Sequence, residues 1–318
     1  MRRQRAREAG LCITCFKAQP GPGRTACALC SRAAAERTVR RRAQKQMLAL
    51  ARATLDTHER AGDQANAFHR YVEAAKHYQS ALNVPAIGHD DWTRVSEKLA
   101  HAIALGANPT AAIPLIDSVL ATYLRDPDQA KHCVELLLQR ARQLFIDARI
   151  QEAIPVIQEA IHLALTIDDR DLCKLANGRM ASYLTALGLH DEALRHLDAV
   201  GGVSESDSPA TRATYFAQRA VLAGVFGDAI GSYGYFEKAV RTADADDDVF
   251  HLVRIWCNYG TWAVRLGNIE LGKSCYERAL FAARHFNVTV LLPDVTIAYV
   301  LVLACAGQYR PAHEYLLD

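Results

Sequence analysis

The sequence predicts an all-α protein, an α-solenoid of helix pairs with a period of about 40 residues, preceded by a small metal-stapled segment. Two observations carry the solenoid. A pair of small residues five positions apart recurs at Gly62/Ala67, Ala107/Ala112, Ala148/Ala153, Gly188/Ala193, Gly227/Ser232, Gly267/Gly272 and Gly307/Ala312. The first members are spaced 45, 41, 40, 39, 40 and 40 residues apart, and a steady period with two amphipathic helices per unit is the mark of stacked helix pairs. The third observation lies at the other end: Cys12-Ile-Thr-Cys15 and Cys27-Ala-Leu-Cys30 are two C-x2-C pairs separated by eleven residues.

From the N-terminus, residues 1–10 are polar and arginine-rich, and are expected to lack fixed structure until they meet a partner. No apolar run follows Met1-Arg-Arg, so the arginines do not read as an export signal. No stretch approaches the ~18 apolar residues of a membrane helix. The expected location is the cytoplasm, with no membrane partner. In a reducing compartment paired cysteines point to metal rather than to disulfides. Residues 11–31 therefore read as a zinc ribbon. Cys12, Cys15, Cys27 and Cys30 would hold one structural Zn²⁺, with Pro20-Gly-Pro-Gly23 as the turn between two knuckles. About twenty residues cannot bury a core, so metal binding would supply the folding free energy. A closed four-thiolate site leaves no coordination position for catalysis.

Ser31 is the expected N-cap of a long helix over 32–61, rich in Ala, Arg, Glu and Gln and free of Gly and Pro until Gly62. The net charge of +2 hides an asymmetry: residues 1–46 hold twelve Lys/Arg and two acids, a charge of +10, which leaves −8 on the rest. A basic head on an acidic body points to an anionic partner, with nucleic acid the first candidate. The residues expected to contact it are Arg2, Arg3, Arg5, Arg7, Arg37, Arg40, Arg41, Arg42 and Lys45. With Phe16 the only aromatic nearby, the pattern supports phosphate contact and little base readout.

Residues 62–318 read as the repeat array, and the small residues are expected where two helices cross closely. One unit makes a resemblance specific. Val253, Trp256, Gly260, Leu266-Gly267, Gly272, Tyr276 and Ala279-Leu280 resemble the tetratricopeptide repeat, which the chain leaves at Ala263 and Arg284. The resemblance extends over about 60–318, with fewer markers in neighbouring units (Tyr71 and Ala74, Ala160, Phe236 and Ala239). Units near 40 residues are also similar to the helical sensor arrays of large LuxR-type bacterial activators and of cytosolic peptide-sensing regulators.

The resemblance implies a concave groove lined by the first helix of each pair, binding a protein or peptide. Its groove positions fall on Arg94, Glu97, His101, Glu135, Arg142, Ser182, Thr185, Arg254, Thr261 and Arg265. The Lys/Asn pattern that clamps a peptide carboxylate in some family members is absent. The last unit is incomplete, with Leu316-Leu317 left partly uncovered. Either more chain follows Asp318, or the open end docks another surface such as a second copy.

No nucleophile elbow, phosphate loop, dinucleotide fingerprint or H-E-x-x-H helix occurs, and the expectation is a protein without catalysis. Asp244-Ala-Asp-Asp-Asp248 lacks the glycine and distal Glu of a calcium loop and reads as a solvated turn. Cys133, Cys173, Cys257, Cys275 and Cys305 read as buried small hydrophobes. Two functional readings remain open: a regulator that joins nucleic acid to a protein or peptide, in transcription, and a scaffold for protein interactions alone.

Overall fold

The computed structural model describes residues 2–9, 11–16, 18–20, 22, 24, 26–106, 109–244 and 249–317. Gly21 and Gly23 of the knuckle turn, Ala107 of the repeat marker, residues 245–248 of the acidic stretch and Asp318 lie outside the described residues, as do the side chains of Leu316 and Leu317. The chain divides into one unit of Met1–Thr57 with Asn83–Gly88, and a second of His58–Leu82 with His89–Asp318. The described residues are helical and contain no strand. None of their helices is long and apolar enough to cross a membrane.

In the first unit the arginine-rich tail, expected to be unordered, forms helix α1 (Arg2–Glu8), with Ala6 buried and its carbonyl accepting from the Leu11 N–H at 2.8 Å. Helix α2 (Ala28–Ala67) starts four residues earlier than the sequence suggests and ends six later. Its early start has a local cause: the Ser31 N–H donates to the Cys27 carbonyl at 2.9 Å, so Ser31 is already inside the helix and does not cap it.

The second unit stacks helix pairs: α3 (Tyr71–Leu82), α4 (His89–Gly106), α5 (Pro109–Tyr123), α6 (Ala130–Ile146), α7 (Ile150–Thr166), α8 (Arg170–Ala186) and α9 (His190–Ala199). The stack continues through α10 (Pro209–Val225), α11 (Ala229–Asp244), α12 (Val249–Arg265), α13 (Ile269–His285), α14 (Leu292–Cys305) and α15 (Tyr309–Leu317). Each of these packs on the next in sequence, and α6, α8, α10, α12 and α14 also touch one another in turn. This is the α-solenoid of tetratricopeptide-like pairs expected from the sequence.

Among the described residues, the turns inside the pairs are built one way. The chain passes through a left-handed residue at His69 (φ 55°), Ala148 (φ 59°), Gly188 (φ 78°), Gly227 (φ 81°), Gly267 (φ 87°) and Gly307 (φ 74°). Around Gly188, for example, the Leu189 N–H reaches back to the Leu184 carbonyl at 2.9 Å and the Gly188 N–H to Thr185 at 3.0 Å, closing the helix end. A Cβ on any of the four glycines would meet nothing within 4 Å. They answer a backbone demand, and not the close helix crossing proposed for them from sequence.

The crossing belongs to the second member of the marker: Ala74, Ala153, Ala193, Ser232, Gly272 and Ala312 are all buried. The first unit's marker is thus His69/Ala74 in place of Gly62/Ala67, seven residues later. Histidine tolerates the left-handed region, so a search for small side chains passes over it. The corrected His69 lies 38 residues before position 107, which removes the anomalous first spacing.

Seven residues before the first five of these turns stands Gly62, Ala141, Ala181, Ala220 or Gly260, with Val300 before the sixth; nine after the first five stands Tyr78, Ile157, Leu197, Phe236 or Tyr276, each buried. The glycines go with the tyrosines: a Cβ on Gly62 would sit 2.5 Å from Tyr78 Cε1, and one on Gly260 would sit 2.8 Å from Tyr276 Cε2. The two tyrosine hydroxyls bond one residue past their glycines, to Asp63 at 2.8 Å and Thr261 at 2.7 Å.

The early and late pairs of this unit also touch. Thr289 Oγ1 donates to the Gly106 carbonyl, and the Phe286 ring meets His69 edge-on with centroids 5.1 Å apart. Tyr71 and Leu105 share one apolar cluster with Val249, Phe250, Val253, Val288 and Leu291. Of the single cysteines, Cys133 and Cys275 are buried, Cys173 and Cys257 half-buried and Cys305 exposed, so Cys305 departs from the buried role read for it.

Two stability outcomes follow from this register. Gly260→Ala should destabilise by about 1–3 kcal/mol through overpacking, while adding Tyr276→Leu should recover about 1 kcal/mol beyond the sum of the single effects. A four-member urea-denaturation cycle measures this coupling, and strict additivity would disprove the size rule. Ala148→Gly, at the turn where the array uses a residue with a Cβ, should gain about 1 kcal/mol, read as a higher urea midpoint with an unchanged slope.

Candidate metal centre and interior cavity

The four paired cysteines come together. Their Sγ atoms all lie within 4.8 Å of one another, and those of Cys15 and Cys27 are 3.9 Å apart. Zn–S bonds of about 2.3 Å in a tetrahedron require sulfur–sulfur edges of roughly 3.8 Å, so the cluster is compatible with a structural zinc ion. The two knuckles are built alike. The Phe16 N–H donates to the Cys12 carbonyl at 2.8 Å, as the Ser31 N–H does to Cys27. Cys12 and Cys27 are buried, Cys15 and Cys30 half-buried.

Backbone N–H groups of Cys15 and then Cys27 favour a thiolate at Cys12 and hold its pKa down to about 5, against the opposing effect of burial. Its neighbour Cys30 is pushed up to about 12, first by the hydrogen bond its thiol makes with Cys27 and then by burial. Without a cation the thiols of Cys12 and Cys30 are thus driven in opposite directions. That is the behaviour of a donor set suited to a divalent ion.

Arg2, Arg3, Arg5 and Arg7 are exposed on α1, and Arg37, Arg40, Arg41, Arg42 and Lys45 are exposed on α2. At about 100° per residue, Arg37, Arg40, Arg41 and Lys45 occupy one arc of roughly 140°, with Arg42 beside it. Every residue from Arg32 to Leu50 is exposed, including Val39, Met47 and Leu50.

In the second unit, alternate helices wall a partly open cavity of about 60 Å³. Arg142 comes from α6; Arg179, Ser182 and Tyr183 from α8; Thr214 and Gln218 from α10; Phe250, His251, Arg254 and Asn258 from α12. Among the described residues that line it, none is acidic. A neighbouring cavity shares Arg142 and Arg179 and adds His101, Lys131, Glu135, Gln139 and Asp171. Of the residues placed in the groove from sequence, Arg142, Ser182 and Arg254 line the first cavity, and His101 and Glu135 the second.

The other five make local contacts. Arg94 pairs with Glu59 and with Asp91 at 2.8 Å, and Glu97 accepts from the Tyr123 hydroxyl at 3.2 Å. Thr185 donates to the Ala181 carbonyl at 2.7 Å, Thr261 bonds Tyr276, and Arg265 lies over the Trp262 ring at 5.1 Å.

The lining residues that sequence reasoning missed follow a rule tied to the turn. Counting back from it, the walls use positions 6, 9 and 13, which fall within about 60° of one another on a helix. Position 9 is Lys98, Gln139, Arg179, Gln218 and Asn258 in five successive units, all polar, and Ala298 in the last. Position 9 was the one passed over, and its polarity in five successive units is the signal that marks it.

No family model matches the chain, and no curated protein does. Among solved structures it is similar to the Rap conjugation gene regulator of the plasmid pLS20 in complex with the Phr* peptide. That match has 16% identity and a TM-score of 0.63, over 81% of this chain and 70% of that one. It is also similar to aspartyl phosphate phosphatase F from Bacillus subtilis, at 13% identity and a TM-score of 0.63 over 86% and 71% of the two chains. A Rap protein complexed with competence and sporulation factor matches at 11% identity and 0.61, over 83% and 73%. At these identities the likeness is one of fold.

For the cysteine cluster, the expected result of elemental analysis on purified chain is one zinc per molecule. Cys12→Ser should lower metal content to below half, and a full complement of zinc in that variant would refute a four-cysteine site.

Proposed function

We propose that this chain is a cytoplasmic regulatory adaptor that acts by binding and not by catalysis. The repeats take a peptide or protein segment in the cavity between α6, α8, α10 and α12, and the zinc-held head with its basic helix contacts nucleic acid, in transcription regulation. The observation that carries the first part is the cavity itself. It is a space walled by successive first helices, with polar side chains set among apolar ones, in an array whose fold is shared with two Rap structures bearing a peptide or factor. The second part is supported by the +10 charge on residues 1–46 and by the arc of Arg37, Arg40, Arg41 and Lys45 on α2. Exposed guanidinium and ammonium groups at that density neutralise phosphates and release counterions.

The test of the nucleic-acid part is titration of full-length protein into labelled duplex DNA and single-stranded RNA across a salt series. With about four phosphates neutralised, log K should fall against log salt with a slope of roughly −3 to −4. Replacing Arg37, Arg40, Arg41 and Lys45 together by Gln should flatten it. Binding that is absent, or indifferent to salt, would overturn this part and leave an adaptor between proteins. In that case the exposed Val39, Met47 and Leu50 of α2 would be the surface to examine.

A further inference from the structure

The first helices meet one another along a fixed stripe. A Cβ on Gly178 of α8 would sit 2.8 Å from Thr214 Cγ2 on α10, and one on Gly224 of α10 would sit 2.5 Å from Trp262 Cε3 on α12. Counted back from their turns these are positions 10 and 3, which lie on one face of a helix. In α6, α8, α10 and α12 position 10 is Leu138, Gly178, Ala217 and Cys257, buried or half-buried in each case. In α14 it is Ile297, which is 55% exposed, with Leu301 one turn further on at 60%. Ala304, at position 3, and the exposed Cys305 continue the stripe. At about 100° per residue these four side chains fall within an arc of roughly 100°. No residue from Val295 to Ala306 carries a charge, and the other faces of α14 hold the buried Val295, Tyr299, Val300, Val302 and Leu303. A helix that is apolar on every side is built to be surrounded.

Two observations identify what fits this stripe. A head-to-tail contact would seat α14 on the helix at the other end of the array, the last turns of α2. Those turns expose Arg60, Asp63 and Gln64, which would set charge against Ile297 and Leu301. The stripe instead matches itself. Laid antiparallel across a two-fold axis at Leu301, Ile297 meets Cys305 of the second copy, and Ala304 meets its Ala298. The two alanines are small enough to let the backbones approach. Asp294, exposed at the start of α14, then lies opposite Gln308 of the second copy and within two residues of its exposed Arg310, a charge of opposite sign. We infer that this chain forms a two-fold dimer through α14, with the same stripe of a second copy lying antiparallel across Leu301. A closed pair uses the stripe up on both copies, so assembly stops at two. The contact shares no residue with the cavity lining and is independent of what the cavity binds.

The experiment is sedimentation velocity of the full-length protein over a concentration series, which should show a reversible monomer–dimer equilibrium. Leu301→Glu, at a side chain already exposed, faces two carboxylates across the axis and should raise the dimer Kd at least about tenfold. Ile230→Glu, the same kind of change at an 87% exposed site on α11, should leave it unchanged. For the orientation, Ile297→Cys treated with a short bis-maleimide should link its new thiol to Cys305 of the other copy, identified by peptide mass spectrometry.

A chain that stays monomeric at every concentration would overturn the dimer. So would a dimer that Leu301→Glu leaves as strong as before, since the contact would then lie elsewhere. Equal weakening in Ile230→Glu would do the same, by tracing association to net charge. Linkage of the new thiol only to its own counterpart would overturn the antiparallel seat, in which those two positions stand about 12 Å apart along the helices.

Discussion

Size matching where helices cross is the constraint on which the array depends. Within five of the pairs a residue with no more than a methyl group faces a large buried one sixteen positions later, and the two volumes trade: glycine with tyrosine at 62/78 and 260/276, alanine with isoleucine, leucine or phenylalanine at 141/157, 181/197 and 220/236. Close-packed interiors leave no room for slippage, so the match sets how each first helix meets its second. Once that register is set, the left-handed turn residue, the small crossing residue five later, and the positions 6, 9 and 13 before the turn all follow. The recognition surface is a by-product of the packing rule: fixing which stripe of a first helix is buried against its partner fixes which stripe is left for the cavity.

The cavity is also tied to contacts made far away in sequence. Phe250 lies beneath Arg142 on the cavity wall and belongs to the cluster that holds Tyr71 and Leu105 from the early pairs. Those early pairs meet the late ones again through His69 with Phe286 and through Thr289 with Gly106. An ordinary stack of repeats joins only neighbours. Here one aromatic ring serves both the wall and the long-range contact, so a ligand that shifts Arg142 acts on a side chain on which the early–late packing also rests.

What could be read from the sequence divides along physical lines. The fold class was legible because glycine at Gly188, Gly227, Gly267 and Gly307 reports a backbone requirement that few other residues meet. The four cysteines were legible because thiol pairs at that spacing have few other uses. The first unit was misread by seven residues because the left-handed turn there is held by His69, whose side chain advertises nothing of its φ. Gly62 was mistaken for a helix end although its true task is to clear Tyr78. The groove list was half local: Thr185, Thr261 and Arg265 are polar on the first helices but spend their donors on their own helix or on a neighbouring ring. Polarity marks a helix face as wet; only the register says which wet face looks into the cavity.

Helix α2 shows what a metal at one end would do. It runs 40 residues, about 60 Å, and from Arg32 to Leu50 none of its side chains is buried. Tertiary packing normally supplies most of a helix's stability, and this stretch has none. Like charges four apart, as at Arg37/Arg41 and Arg41/Lys45, work against it by a few tenths of a kcal/mol each. What remains is propensity, carried by its alanines and long straight side chains, and the fixing of its two ends. The far end is set by the crossing of Gly62 with Tyr78. The near end begins in the second cysteine knuckle, where the Cys27 carbonyl accepts the first helical bond. A four-thiolate ion there would hold the first turn in place, sparing the exposed stretch the unfavourable step of nucleating itself. The effect of such an ion would be felt along the basic face that the helix displays.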